Sequence, residues 1–366
     1  MVNLFSDSSH MDKSCLVRIS LLTSLSFQLL SCASLPLSAK YLAPPPRPSS
    51  LDQYYSKGRS YTEFKITSSS EKGDVKITQY KVNSDFGEST IDYYQSKNKN
   101  DSIVFVFPVL GGKNVFENYF AEYFAGHGVD GAIVHRANEF KKPEHFDHLE
   151  ELFKNNLIRD RVAIDFFEKE FGKKKFGSFG ISRGGINVAM TAGVDPRLKY
   201  NVIVMGGTDL VGLFKNSSQK RIKKYVQFVS QQRNLSKEEF FEHLRTSVVT
   251  DPKNLAHYIN AKDTLLILSS FDSTVPFEYG MKLRAQIGKP RTIFLAADHY
   301  TSLLYTQFVP ILLPNRSLCL FPFDYIEGEA LSFYEKGFNG RNKWWRNLPL
   351  KILQLPVNFV TDLFVD

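Results

Sequence analysis

Between residues 103 and 295 the chain alternates short apolar runs with longer stretches of helical periodicity. The runs fall at 103–107, 132–135, 176–179, 202–205, 264–268 and 292–295, and the helical stretches at 114–126, 149–171, 183–192 and 277–285. A strand with no polar alternation is covered on both faces, as in parallel sheets flanked by helices. Parallel strands joined through helices need right-handed crossovers, so the expected class is α/β: a mostly parallel sheet with helices on its faces. In such sheets chemistry collects beyond the carboxyl ends of the strands. Residues 61–94 behave differently. Apolar positions there alternate with polar ones (Val75, Ile77; Ile91, Tyr93), which suits antiparallel edge strands with one wet face.

One segment interrupts the alternation. Residues 209–262 contain no strand-like run, read as helical, and carry Lys215, Lys220, Arg221, Lys223 and Lys224 with no acid between 214 and 224. An insertion of that size in a compact domain ordinarily covers a site, so a helical lid is expected.

Composition limits the function. Of the 366 residues 43% are hydrophobic and 23% charged, enough apolar side chain for a large core and against global disorder. No uninterrupted apolar run reaches the roughly 18 residues of a membrane span, which argues against a helical channel or transporter. Three cysteines without a Cys-x-x-Cys pair exclude a disulfide scaffold and a cysteine-built zinc or iron–sulfur centre. No phosphate loop, dinucleotide fingerprint or metal cluster is visible, so no cofactor is expected. The net charge of +8 is diffuse and does not predict a nucleic-acid partner.

The chemistry is concentrated in Gly180-Ile181-Ser182-Arg183-Gly184, a G-x-S-x-G turn with a strand before it and a helix after it. The glycines let neighbouring backbone approach closely, and the serine is held up at a helix N-terminus, where negative charge is favoured. Otherwise the segment is a glycine-rich turn with a passive serine. A nucleophilic Ser182 needs a base oriented by an acid, in the chain order Ser, Asp/Glu, His. Beyond His257 the only histidine is His299, just past the run at 292–295. Asp272, after the run at 264–268, is the favoured acid. Asp298 is the rival, but its adjacency to His299 points the two side chains apart. Asp272 also suits a turn aspartate before a helix starting at Pro276. Oxyanion donors are expected from the backbone N–H of Arg183 and, in the loop Pro108-Val109-Leu110-Gly111-Gly112, from Leu110, with Val109 as the alternative.

These residues resemble the α/β-hydrolase superfamily over about 103–313. The resemblance implies hydrolysis of an ester, less readily an amide, through an acyl-serine, with a small-molecule or lipid ester as substrate. An acyltransferase using the same intermediate, and a non-catalytic protein with a lid-covered binding pocket, are the alternatives. Two features depart from the family pattern. The oxyanion loop lacks the common His-Gly, and Arg183 stands where small or apolar residues are frequent. Its charge suits either an acidic substrate group or a nearby acid.

The ends of the chain differ from its centre. Lys13 and Arg18 precede a mildly apolar stretch that ends in Leu29-Leu30-Ser31-Cys32, which resembles a bacterial lipoprotein signal cut before a lipid-bearing Cys32. Met11 is an alternative start. Simple secretion with cleavage near residues 37–39, or an uncleaved terminus, are the other readings. The expected division is therefore a signal peptide at 1–31, a Pro/Ser-rich tether at 32–50, the hydrolase domain at 51–320 with its lid at 209–262, and a basic, aromatic extension at 321–366. The expected location is the cell envelope, anchored to a bacterial membrane through Cys32, or else the periplasm or exterior. In the extension Lys336, Arg341, Lys343, Arg346 and Lys351 surround Trp344-Trp345. That pattern suits a membrane surface or a tail packed over the body.

Overall fold

The computed structural model describes residues 41–110, 115–136, 139, 142–308, 324–343 and 345–365. Cys32 and the signal segment, Gly111-Gly112, Cys319 and Trp344 lie outside these residues. The chain divides into a body, residues 39–347, and a second unit whose described part is one helix, Leu348–Val365.

Nine strands form one sheet in the order β1-β2-β3-β5-β4-β6-β7-β8-β9. β1 (Glu63–Lys72), β2 (Val75–Ser84) and β3 (Gly87–Ser96) make an antiparallel meander, and β3 also runs antiparallel to β5 (Asp130–Val134). The remaining pairs are all parallel, through β4 (Ser102–Phe107), β6 (Lys175–Ile181), β7 (Leu198–Val204), β8 (Thr264–Ser269) and β9 (Arg291–Leu295). Every residue of β4, β5 and β8 is buried, whereas β1, rich in Ser, Thr and Lys, is exposed along its length. The apolar runs therefore mark the buried strands as expected, but the alternation fails in β1, where Phe64 and Ile66 are exposed like their polar neighbours.

Among the described residues the α-helices of the body are α1 (Ser49–Tyr54), α2 (Val115–Gly126), α3 (Leu149–Phe171), α4 (Arg183–Val194), α5 (Leu210–Asn216), α6 (Lys220–Gln232), α7 (Lys237–Ser247), α8 (Pro252–Leu255), α9 (Phe277–Ile287) and α10 (Tyr325–Asn339). α3 stops at Gly172, whose φ of 63° is the left-handed conformation that closes a helix. On one face of the sheet, Phe120 and Phe124 of α2 meet Phe179 of β6 at ring distances of 4.4 and 5.4 Å. On the other, Phe167 of α3 meets Phe105 of β4 at 5.7 Å. Each fully buried phenylalanine stabilises the fold by roughly 1.5–3 kcal/mol through area removed from water.

Three boundaries differ from those expected. The body does not end at 320. Tyr334 of α10 packs edge-on against Phe124 at 5.4 Å and donates its hydroxyl to Ser178 O of β6 at 2.6 Å. The described part of the tether is docked rather than free: Leu42 N–H donates to Gly288 O at 3.0 Å, Arg47 donates to Val194 O, and α1 begins at Ser49. The end of the insertion is body, not cover, because α8 presses on α4. A Cβ on Gly193 would lie 2.3 Å from Leu255 O. The covering part is α5–α7, which packs on the start of α3 through a cluster of Phe146, Leu149, Val226, Val229, Phe240 and Leu244. Asp251 fastens the entrance to this hairpin by accepting from the amides of Asp209 (3.1 Å) and Leu210 (2.7 Å), and Glu150 fastens its exit by accepting from Val249 and Thr250 (both 2.7 Å).

Part of the basic cluster of the extension is engaged within the body, since Lys343 (2.8 Å) and Arg346 (3.1 Å) both pair with Glu335. In the second unit, helix α11 (Leu348–Val365) contains Pro356. Among the described residues no helix is long and apolar enough to cross a membrane.

Candidate active site

Ser182 stands between β6 and α4 with φ 57° and ψ −120°, a strained backbone for a residue with a side chain. The strain is enforced by its neighbours. A Cβ at Gly180 would fall 2.3 Å from the carbonyl of Gly184, and one at Gly184 would fall 2.4 Å from Phe107 O. Both glycines of the motif are thus required by close backbone approach. Gly184→Ala should therefore destabilise the protein by about 1–3 kcal/mol, visible as a lower urea midpoint at unchanged slope. An unchanged midpoint would show that β4 and α4 can separate freely. The Ser182 side chain makes no capping bond to the helix it precedes, so its hydroxyl is not a passive cap.

Asp272 and His299 come together. His299 Nδ1 lies 2.6 Å from Asp272 Oδ2, and both residues are buried. Asp272 also behaves as the turn aspartate its setting suggested, because its Oδ1 accepts from Thr274 N (2.8 Å) and Val275 N (3.0 Å). One oxygen fixes the carboxylate and the other holds the imidazole. Asp298 does neither job for His299. It accepts from the amides of Tyr300 (2.7 Å) and Thr301 (2.9 Å), and those amides hold its carboxyl below the usual range.

The loops are fastened to one another strand by strand. Ser182 N–H donates to Val204 O at the end of β7 (2.8 Å), and Met205 N–H donates to Ile267 O of β8 (2.7 Å). Ser270 and Phe271, just before Asp272, donate to Leu295 O (2.9 Å) and Ala297 O (3.0 Å). Ser302, whose Oγ is 2.8 Å from His299 O, is also 2.9 Å from Met205 Sδ. The histidine loop is thereby tied to the end of β7, the strand beside the one that carries Ser182.

Ser182 opens onto a cavity of about 510 Å³ between α3–α4 and α5–α6. Leu110 and Arg183, the two expected oxyanion donors, line it, as do Thr274 and Val275 of the acid loop. The alternative donor is occupied, since Val109 N–H donates to the buried carboxylate of Glu117 at 2.6 Å. This contact holds the loop after β4 and leaves Leu110 as the amide next along it. Burial, and then the charge of Arg136, push the Arg183 guanidinium down to about 9. Four further site residues were not singled out by sequence: Arg136, Asp160 and Asn187, which line the cavity, and Glu117. Signals for three of them existed. Arg136 directly follows an apolar run, Asp160 interrupts the apolar face of α3, and Asn187 is four residues after Arg183 on one helical face.

A model of the prolyl oligopeptidase family matches residues 123–297, a span that holds Ser182 and Asp272 and stops just short of His299. Among solved structures, acetyl xylan esterase 1 from Thermoanaerobacterium sp. JW/SL YS485 is 16% identical with a TM-score of 0.54, covering 82% of this chain and 99% of that one. Pyrococcus horikoshii acylaminoacyl peptidase is 16% identical with a TM-score of 0.51, covering 72% of this chain and 41% of that one. The acetyl xylan esterase of Paenibacillus sp. R4 is 13% identical with a TM-score of 0.50, covering 76% and 99% respectively. No curated protein matches the sequence. The strand order and these likenesses show an α/β fold of the α/β-hydrolase type.

Proposed function

We propose that the protein is a serine hydrolase that cleaves carboxylic esters through an acyl-Ser182 intermediate. The observation that carries this reading is the 2.6 Å contact between Asp272 and His299, on loops hydrogen-bonded to the strand ends beside Ser182. His299 Nε2 takes the Ser182 proton as Oγ attacks the substrate carbonyl, and Asp272 stabilises the imidazolium. The amides of Arg183 and Leu110 receive the oxyanion, each worth roughly 3–4 kcal/mol in the transition state. The proton passes to the leaving alcohol, and water then attacks the acyl-serine by the same route. A covered cavity of about 510 Å³ suits an acyl group better than a folded polypeptide, which favours esters. The likeness to acetyl xylan esterases agrees with that choice.

The intermediate makes a kinetic prediction. Mixing the enzyme with p-nitrophenyl butyrate should release a rapid burst of nitrophenol equal to the enzyme concentration, followed by slower turnover. The same experiment with Ser182→Ala should give no burst. A burst of equal size in both would place the acyl group elsewhere.

Anchoring at the cell envelope is supported by Leu29-Leu30-Ser31-Cys32. Cells expressing the wild type should incorporate labelled palmitate into the protein, and cells expressing Cys32→Ser should not. Equal labelling would refute the anchor.

A further inference from the structure

The wall of the cavity beyond Ser182 is built from polar side chains that the proposed chemistry does not use. Arg136 is 9% exposed, Asp160 1% and Asn187 6%, and all three line the cavity. Arg136 leaves the end of β5, lies over the Phe107 ring (5.4 Å to its centre) and pairs with Asp160 of α3 through Nη2 at 2.5 Å. Thr191 of α4 donates to the same Asp160 oxygen at 3.0 Å. Three atoms of the group stay unused. Arg136 Nε, Asn187 Nδ2 and Asp160 Oδ1 are buried without a hydrogen-bond partner among the described residues. An unpaired buried donor costs about 1–3 kcal/mol, so a native wall that keeps several beside a nucleophile is shaped for a ligand.

The geometry sets where that ligand group sits. Arg183, Asn187 and Thr191 follow at intervals of four on α4, so they share one helical face along the cavity floor. Asn187 is five residues beyond Ser182, about 7.5 Å along the helix axis at 1.5 Å per residue. The charges set its sign. Arg136, Arg183, Arg221 and Lys224 line the cavity, and Asp160 is the only acid among the described lining residues. Burial drives the Asp160 carboxyl upward against the pull of Arg136. As an acid it donates to an incoming anion; as a carboxylate it is balanced by Arg136. In either state the lining is net positive, because Arg183, Arg221 and Lys224 add their charge to that of Arg136 and Asp160 is the one acid among the described lining residues.

We propose that this wall is an anion-recognition subsite, and that the preferred substrates are esters whose acyl chain ends in a carboxylate a few methylenes from the scissile carbonyl. Arg136 Nε and Asn187 Nδ2 receive the carboxylate. The apolar side chains of Leu157, Ile186 and Met190 cover the methylenes. The inference rests on Ser182 as nucleophile for its orientation, and on the buried unpaired donors for its chemistry.

The test compares monoethyl adipate with the ethyl ester of adipamic acid, an uncharged isostere of the same length. The wild type should prefer the anion by about tenfold or more in kcat/KM, as expected for hydrogen bonds to a charged group. The double variant Arg136→Gln/Asp160→Asn replaces the ion pair by a neutral pair and should bring the ratio toward one. Asn187→Leu, which disturbs no ion pair, should lower it several-fold and serves if the double variant does not fold. Adipate should also bind Ser182→Ala in calorimetry, where adipamide gives no heat. Equal use of the two esters, or a ratio unchanged by both variants, would overturn the subsite while leaving the hydrolase reading intact. Adipate binding without hydrolysis of either ester would do the reverse. Absence of adipate binding would also refute the subsite.

Discussion

Ser182→Ala should lower kcat for ester hydrolysis by about 10,000-fold or more with little change in stability, within about 0.5 kcal/mol. The rate falls because the other hydroxyls lining the cavity, those of Thr191, Tyr225 and Thr274, do not stand at the strained turn between β6 and α4. Stability is kept because the Ser182 side chain caps no helix and the strained turn is enforced by Gly180 and Gly184, which remain. The residual rate reports what the oxyanion amides and binding achieve alone. Activity within tenfold of wild type would mean that another group is the nucleophile. A large loss of stability would mean that the hydroxyl has a structural role absent from its contacts.

The second large effect is expected from Asp272→Asn, a loss in kcat of about 1,000- to 10,000-fold. The reason lies in the division of labour between the two carboxylate oxygens. Oδ1 faces two N–H donors, those of Thr274 and Val275, so the asparagine must keep its carbonyl there. Its NH2 then faces His299 Nδ1, which in the native protein lies against Oδ2. An imidazole that accepts at Nδ1 carries its proton on Nε2 and cannot take the proton of Ser182. Asp298→Ala is the matched control. It removes the neighbouring carboxylate, whose hydrogen bonds go to the Tyr300 and Thr301 loop and not to His299, and should cost at most about threefold. Equal losses in the two variants would return Asp298 to contention.

Why some of this could be read from sequence and some could not has a physical basis. The central strands declare themselves because burial on both faces favours a run of apolar side chains, as at Leu265–Leu268 in β8, where every residue is buried. α3 was legible over its full length because its apolar face repeats at helical spacing and a left-handed Gly172 ends it. β7 was read short. It begins at Leu198, but Lys199 and Asn201 break the apolar run, and Asn201 is buried only because Ser178 and backbone carbonyls satisfy its amide. The docked segment before α1 looks like a tether in sequence because its anchor at Leu42 uses a backbone amide, which leaves no mark in side-chain pattern.

The site divides in the same way. Ser182, Asp272 and His299 each follow a recognisable strand, and each belongs to a local turn or loop whose residue types the chemistry constrains. The Arg136–Asp160–Asn187 wall is different. It joins the end of β5, the middle of α3 and the second turn of α4, segments that no short-range pattern connects. Asp160 within an apolar helical face was the strongest clue, because a buried carboxylate requires a partner. Glu117 was concealed in the same manner: its carboxylate is buried under the oxyanion loop and accepts the amide of Val109 at 2.6 Å.

The most direct measurement is labelling with a fluorophosphonate followed by peptide mass spectrometry. The wild type should gain one phosphonyl group, on the peptide that contains Ser182. Asp272→Asn should be labelled much more slowly, and Ser182→Ala should not be labelled. Equal modification of the wild type and Ser182→Ala, or no modification of the wild type, would contradict the account.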